Sequence, residues 1–246
     1  MYEHRQRAVI LGILFILASV SAIIGALLYN PVLNHPDYLV KAAESAGSLQ
    51  LGALMELVLV LTAIGTAVTL FPLVRKHNES LAIGYLCFRF LEAIVITVGI
   101  LSVLALLSLS QSFVKVSTPD LAAYAAAGTT LKAIHAWTFI FGPSLFLGVN
   151  TLMYSTLLYQ TRLVPRWLSN WGLFGAGMIL VHGLLQLFAG QHPFTPVSPL
   201  LAVPIGVFEM VLAVRLIVKG FDTAVPTSAI KHLLPLTTAV LIKGEN

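Results

Sequence analysis

Charge is scarce in this chain: Asp, Glu, Lys and Arg together make up 10% of its 246 residues, whereas 58% are hydrophobic. With a mean hydropathy of +0.92, this excludes an ordinary soluble domain, in which about a quarter of residues are charged. Cysteine is nearly absent as well. Cys87 stands alone, which rules out an internal disulfide, and its place in an apolar run reads as a small buried hydrophobe. Catalytic signatures are missing too. There is no Gly-x-Ser-x-Gly elbow to support Ser144 or Thr138 beside His135 as a nucleophile, and no phosphate-binding glycine loop. Neither His-Glu-x-x-His nor Glu-x-x-His occurs. A formal charge of +4 and a pI near 9.3 do not point to nucleic acid, because the basic residues punctuate the ends of apolar runs, a topology signal.

What is abundant is long apolar sequence. Six runs, at about 8–30, 49–74, 81–110, 131–160, 171–189 and 200–219, each approach or exceed the roughly 20 residues needed to cross a bilayer. The expected fold is therefore all-α: a polytopic six-helix transmembrane bundle spanning residues 1–221, followed by a short cytoplasmic tail, 222–246. The uncharged run from Ala8 to Tyr29 exceeds the about 7–15 apolar residues of a cleaved leader, so the first helix is expected to be retained. Asn30-Pro31 should stop the first helix, and Pro72 with the polar stretch Arg75 to Glu79 should close the second. Ser117-Thr118-Pro119-Asp120 predicts a helix start, a capping hydroxyl followed by proline, ahead of the fourth span. Gly142-Pro143 should kink that helix midway, and Pro204 should bend the sixth.

With the N-terminus inside, nine Lys and Arg (Arg5, Arg7, Arg75, Lys76, Arg162, Arg166, Lys219, Lys231 and Lys243) fall on the cytoplasmic side. Only Lys41, Lys115 and Lys132 fall opposite, so both termini are expected in the cytoplasm. Trp167 and Trp171 flank the start of the fifth span as interfacial anchors. The tail is expected along the inner surface, interrupted by Pro235. A faint likeness between Gly52–Leu59 and Gly206–Leu212 suggests a duplicated hairpin, the first and second helices answering to the fifth and sixth.

The informative residues are the few polar ones inside the spans: Glu56, Arg89, Glu92, His135, His182, Gln186, Glu209 and Arg215. A charge at the centre of a spanning helix costs about 2.5–3.5 kcal/mol on insertion scales, so each needs a partner, a cavity or an exit to the interface. Glu56 shares a face with Gly52, Ala63 and Ala67, and Glu209 shares one with Ala202, Gly206 and Ala213. Small residues mark where another backbone approaches, so both carboxyls should point into the bundle. Arg89 and Glu92 are neighbours on one face; His182 and Gln186 share another, and His135 aligns with Gly142 and loosely with Asn150. At the helical rise, Glu56 and His182 lie about 10 Å and Glu209 about 14 Å from the outer helix ends, with His135 shallower and Glu92 deeper. These groups are expected to converge on one cavity in the outer half of the membrane. Arg215, near the inner end, is expected to snorkel to the surface.

Three chemistries fit that set. Glu56, Glu92, His135, His182 and Glu209 are oxygen and nitrogen donors of the kind that bind zinc, iron or manganese, although they come from separate helices without tight local spacing. His135 and His182 are conceivable axial haem ligands, on helices of opposite direction and with no second pair. The alternative is a hydrogen-bonded network in which Arg89 neutralises Glu92 and the other carboxyls are protonated. The remaining histidines (His4, His35, His77, His192 and His232) fall in loops or tails.

Several stretches together resemble the bacterial membrane-protein family known as domain of unknown function 4386. They are Gly52-Ala53-Leu54-Met55-Glu56-Leu57, Phe88-Arg89-Phe90-Leu91-Glu92, the run Tyr159 to Leu168, Glu209-Met210-Val211-Leu212-Ala213, and Leu216 to Phe221. The resemblance implies a bacterial cytoplasmic-membrane location and points to Glu56, Arg89, Glu92 and Glu209; it carries no activity. Function is thus expected in one of three classes. The first is binding or passage of a small ligand or ion with proton exchange at the glutamates. The second is an intramembrane metal-dependent hydrolase. The third is a non-catalytic partner subunit in which buried charges set helix register. The lipid bilayer is a partner in all three.

Overall fold

A computed structural model describes residues 2–118, 120–189 and 197–222. Among these the chain is helical throughout: α1 (Tyr2–Leu33), α2 (Tyr38–Glu44), α3 (Ala46–Val74), α4 (Glu79–Phe113), α5 (Leu121–Ile140), a π-helical turn (Phe141–Phe146), α6 (Leu147–Thr161), α7 (Arg166–Ala189) and α8 (Val197–Val218). Six helices, counting α5 to α6 as one, are long and apolar enough to cross a membrane, matching the six apolar runs. The protein is an integral membrane protein with helix surfaces facing lipid. Lys231, His232, Pro235 and Lys243 of the expected tail, and His192, lie outside the described residues.

Helix ends follow local chemistry more closely than the proline positions do. The Asn78 side chain accepts from the Leu81 amide at 3.0 Å and starts α4. Asp120, not the expected Ser117 or Thr118, caps α5, its carboxylate accepting from the amides of Ala122 and Ala123 at 3.1 and 3.2 Å. Pro31 does not end α1: a proline removes only its own donor, and the Asn34 amide still reaches the Asn30 carbonyl at 3.1 Å. At Gly142-Pro143, where a kink is expected, the helix carries the π turn, which absorbs the missing proline N–H by widening one turn.

The spans form a ring in chain order: α1 packs on α3, α3 on α4, α4 on α5 and α6, α6 on α7, α7 on α8, and α8 returns to α1. Glycine permits the closest approaches. A Cβ on Gly12 would sit 2.7 Å from the Ala213 carbonyl across the α1–α8 contact, and one on Gly175 only 3.0 Å from the Ile205 Cα across α7–α8. At the end carrying the N-terminus, Phe15, Tyr85, Tyr154 and Phe208 make a continuous aromatic core, with Tyr154 stacked on Phe208 at 6.0 Å.

That same end is clasped by cations. Arg5 donates to the Ile217 and Val218 carbonyls at 2.8 and 3.1 Å, satisfying acceptors that α8 leaves open at its C-terminus. Gly220, at φ 77°, makes the left-handed turn beyond it. Arg215, near the same end of α8, grips both Asp222 carboxylate oxygens at 2.8 and 2.9 Å and the Gly220 carbonyl at 3.1 Å, because the chain folds back beneath it. The Asp222 amide donates to Leu163 at 2.9 Å, tying this turn to the loop before α7.

The far end holds an element not anticipated from sequence, the short α2. Its Tyr38 hydroxyl bonds the Ala125 carbonyl at 3.2 Å, Lys132 lies 4.2 Å over the Tyr38 ring, and Ala42 packs with Val103 and Leu106 of α4. Cys87 is also corrected: it is exposed on the outer face of α4 rather than buried, since Arg89 and Tyr85 turn the opposite side inward.

The close α1–α8 contact makes a test. Gly12→Ala should cost about 1–3 kcal/mol through overpacking, lowering the unfolding midpoint in mild detergent followed by tryptophan fluorescence. Gly177→Ala, whose added Cβ meets nothing within 4 Å, should not lower it.

Candidate functional site

Within the ring lies a half-open cavity of about 340 Å³, of a size with small-molecule sites. Glu56 from α3, Arg89 and Glu92 from α4, His135 from α5 and Glu209 from α8 all line it. Five of the seven residues picked from sequence thus meet in one chamber. His182 and Gln186 do not. They sit together on α7, as their spacing requires, with His182 buried, but α7 contributes no lining residue. Gly175 and Gly183 set the reason, by turning α7 toward the α8 backbone and toward Ser144 and Leu145 of the π turn.

At the centre is a buried ion pair. Arg89 Nη1 donates to Glu92 Oε2 at 2.8 Å, with each side chain 4% exposed. Asn150 of α6 donates its side-chain amide to the same carboxylate oxygen, and the Thr151 hydroxyl in turn donates to Asn150 Oδ1 at 3.5 Å. A three-residue step places Glu92 under Arg89 on α4, so the pair is built by one helix and locked by a second. The Arg89 Nε remains without a partner and is buried.

The other two carboxyls lie on either side. Glu209 is within electrostatic reach of Arg89 and Glu92 and adjoins the Tyr154 side chain. Glu56 is 8% exposed, and its Oε2 is buried with no hydrogen-bond partner. The Tyr29 hydroxyl approaches Glu56 without reaching hydrogen-bond geometry. Tyr29 is held by Gly52, which leaves room for the ring, and meets the His135 ring edge-on at 5.4 Å. The Thr138 hydroxyl bonds the His135 carbonyl at 2.8 Å, and the buried His135 Nδ1 has no hydrogen-bond partner.

Among the described residues no three His, Cys, Asp or Glu side chains are grouped closely enough to hold a metal ion. The metal set expected from sequence, Glu56, Glu92, His135, His182 and Glu209, is therefore spread around the chamber, and His182 is outside it. The two candidate haem ligands are separated likewise, only His135 facing the cavity. Sequence reading set Tyr85 near the Arg89 and Glu92 face but missed Tyr29 and Tyr154, whose phenol groups stand in spans as apolar residues do but bring a hydroxyl to Glu56 and Glu209. Their signal is aromatic polarity deep in a run, away from the interfacial belt where tyrosine is usual.

The matching family model is Domain of unknown function (DUF4386), over residues 10–220. The chain belongs to this family. The match takes in Glu56, Arg89, Glu92, His135 and Glu209, so the whole chamber lies within the DUF4386 region. No curated protein and no solved structure matches the chain.

The Arg89–Glu92 pair carries a clear expectation. Arg89→Leu leaves a buried carboxylate without its cation and should destabilise the protein by about 3–5 kcal/mol, while Arg89→Leu combined with Glu92→Leu should recover most of that loss. Thermal unfolding of the two variants in the same detergent measures the difference.

Proposed function

We propose that this DUF4386 protein binds, or passes across the bilayer, a small ligand or ion in its intramembrane chamber, with Glu56 and Glu209 exchanging protons as it does so. The carrying observation is the buried, unpartnered carboxylate oxygen of Glu56, facing a chamber that Glu209 also reaches. A carboxylate without a cation in apolar surroundings is costly, so it holds a proton until something else neutralises it. Arg89 donates to Glu92, which Asn150 also grips, and it reaches Glu209 only electrostatically, whereas Glu56 Oε2 has no hydrogen-bond partner. This narrows the exchanging acids to two of the three named from sequence, with Glu92 as the fixed member. The bacterial cytoplasmic membrane is the proposed location, both termini inside, on the nine-to-three distribution of Lys and Arg.

Dicyclohexylcarbodiimide tests this directly. The reagent partitions into the apolar phase and adds only to a protonated carboxyl, whose proton passes to the carbodiimide nitrogen as oxygen bonds its central carbon. Mass spectrometry of protein in lipid nanodiscs should find Glu56 and Glu209 modified and Glu92 spared, with labelling declining as the pH is raised. Absence of label on both Glu56 and Glu209 across the pH range would remove the proposal.

A further inference from the structure

We infer that the chamber's ligand is a small hydrophobic cation, an amine or quaternary ammonium group carrying an apolar body, that takes the place of a proton at Glu56 and Glu209. The inference rests on the reading of the chamber as a proton-exchanging binding site and adds the chemical class of what is bound.

Charge decides the sign. The acids lining the chamber are Glu56, Glu92 and Glu209, and the only Arg or Lys among the described lining residues is Arg89. Arg89 is spent on Glu92 at 2.8 Å, so that unit is neutral overall. What faces Glu56 from the neighbouring helices is Tyr29 of α1, and Tyr29 in turn abuts His135 of α5. What faces Glu209 is Arg89 and Glu92 of α4 and Tyr154 of α6. An anionic guest would therefore meet two further acids, and Arg89, the one Arg or Lys on the described lining, already carries Glu92 as its counter-ion. A neutral apolar guest would leave the buried Glu56 oxygen as it stands, whereas a cation supplies the charge that its carboxylate lacks.

The walls decide the rest of the molecule. Away from the acids the lining is apolar or small, including Phe15, Leu59, Ile96, Phe139 and Leu147. Phe15 and Phe139 offer aromatic faces of the kind that attract quaternary ammonium groups. Ile23 of α1, 61% exposed, and Phe139 of α5, 45% exposed, are lining residues that also reach the outer surface of the spans. The described rim is thus greasy where it meets the surroundings, which suits a guest that arrives from the membrane rather than a hydrated inorganic ion. Cation and proton then compete for the same carboxylates, so affinity rises with pH and each binding event releases a proton.

Protection from dicyclohexylcarbodiimide reads this out on the wild-type protein in nanodiscs. The probes are benzyltrimethylammonium and tetraphenylphosphonium as cations, neopentylbenzene as the neutral isostere of the first, and tetraphenylborate as the anionic counterpart of the second. At least one cation should slow labelling of Glu56 or Glu209 about tenfold at saturation, a protection equivalent to roughly 1.4 kcal/mol, and neither the neutral nor the anionic probe should do so. Glu56→Gln should weaken the cation's protection of Glu209. Equal protection by neopentylbenzene, protection by tetraphenylborate alone, or no protection by either cation would each overturn the assigned class while leaving the proton-exchanging chamber intact. Failure of both glutamates to label without any probe would instead remove the chamber reading, and this inference with it.

Discussion

Arginine stays charged at any pH a cell experiences, so a bundle that buries Arg89 has to bring an anion to it. In this protein the anion is Glu92, one helical turn away on α4, and the pair is completed by Asn150 reaching across from α6. The consequence goes beyond neutralisation. Because Glu92 is gripped from two helices, α4 and α6 share a single register, and the π turn that precedes α6 lies against the same stretch of α4. The pair also neutralises the one Arg or Lys on the described lining, which leaves Glu56 and Glu209 as acids without an ion pair among the described residues. Their chemistry follows from how Arg89 is used.

The frame around this pair is set by backbone proximity rather than by bulk. In lipid there is no hydrophobic drive to push helices together, so packing and small residues must do it. Gly12 against Ala213 and Gly175 against Ile205 close the ring where α8 meets its two neighbours. The aromatic group Phe15, Tyr85, Tyr154 and Phe208 then fills the end near the termini, and the Arg5 and Arg215 clasps tie off the last turn of α8. The chamber sits beyond that aromatic plug, with Tyr85 and Tyr154 between it and the clasped end. Tyr29 lies toward the opposite end beside Glu56 and His135, so the hydroxyl groups bracket the acids along the bundle axis.

Much of this is legible residue by residue. Glu56 and Glu209 were placed inward by the small residues sharing their faces, and the chamber contains both. Arg89 and Glu92 were paired by spacing, and they bond. Reading failed where a helix offered two plausible inward faces or none. His182 and Gln186 agree with each other but not with the chamber, since the glycines of α7 turn that helix on its neighbours. Cys87 was placed inside on composition alone, yet it shares α4 with charged residues that claim the inner face. The α2 segment lacked the length that marks a span, and its position depends on Tyr38 finding α5, a contact far away in sequence.

The sequence by itself determined that six helices are long and apolar enough to cross a membrane, and that Arg89 would have Glu92 beside it. These are local matters: a run of apolar residues and a three-residue step on one helix require nothing from the rest of the chain. Only the tertiary structure decided which polar groups share a chamber and which are left without a cation. Each helix can rotate about its own axis, and that rotation is chosen by the neighbours it packs against, which here admit Glu56, His135 and Glu209 and turn His182 away.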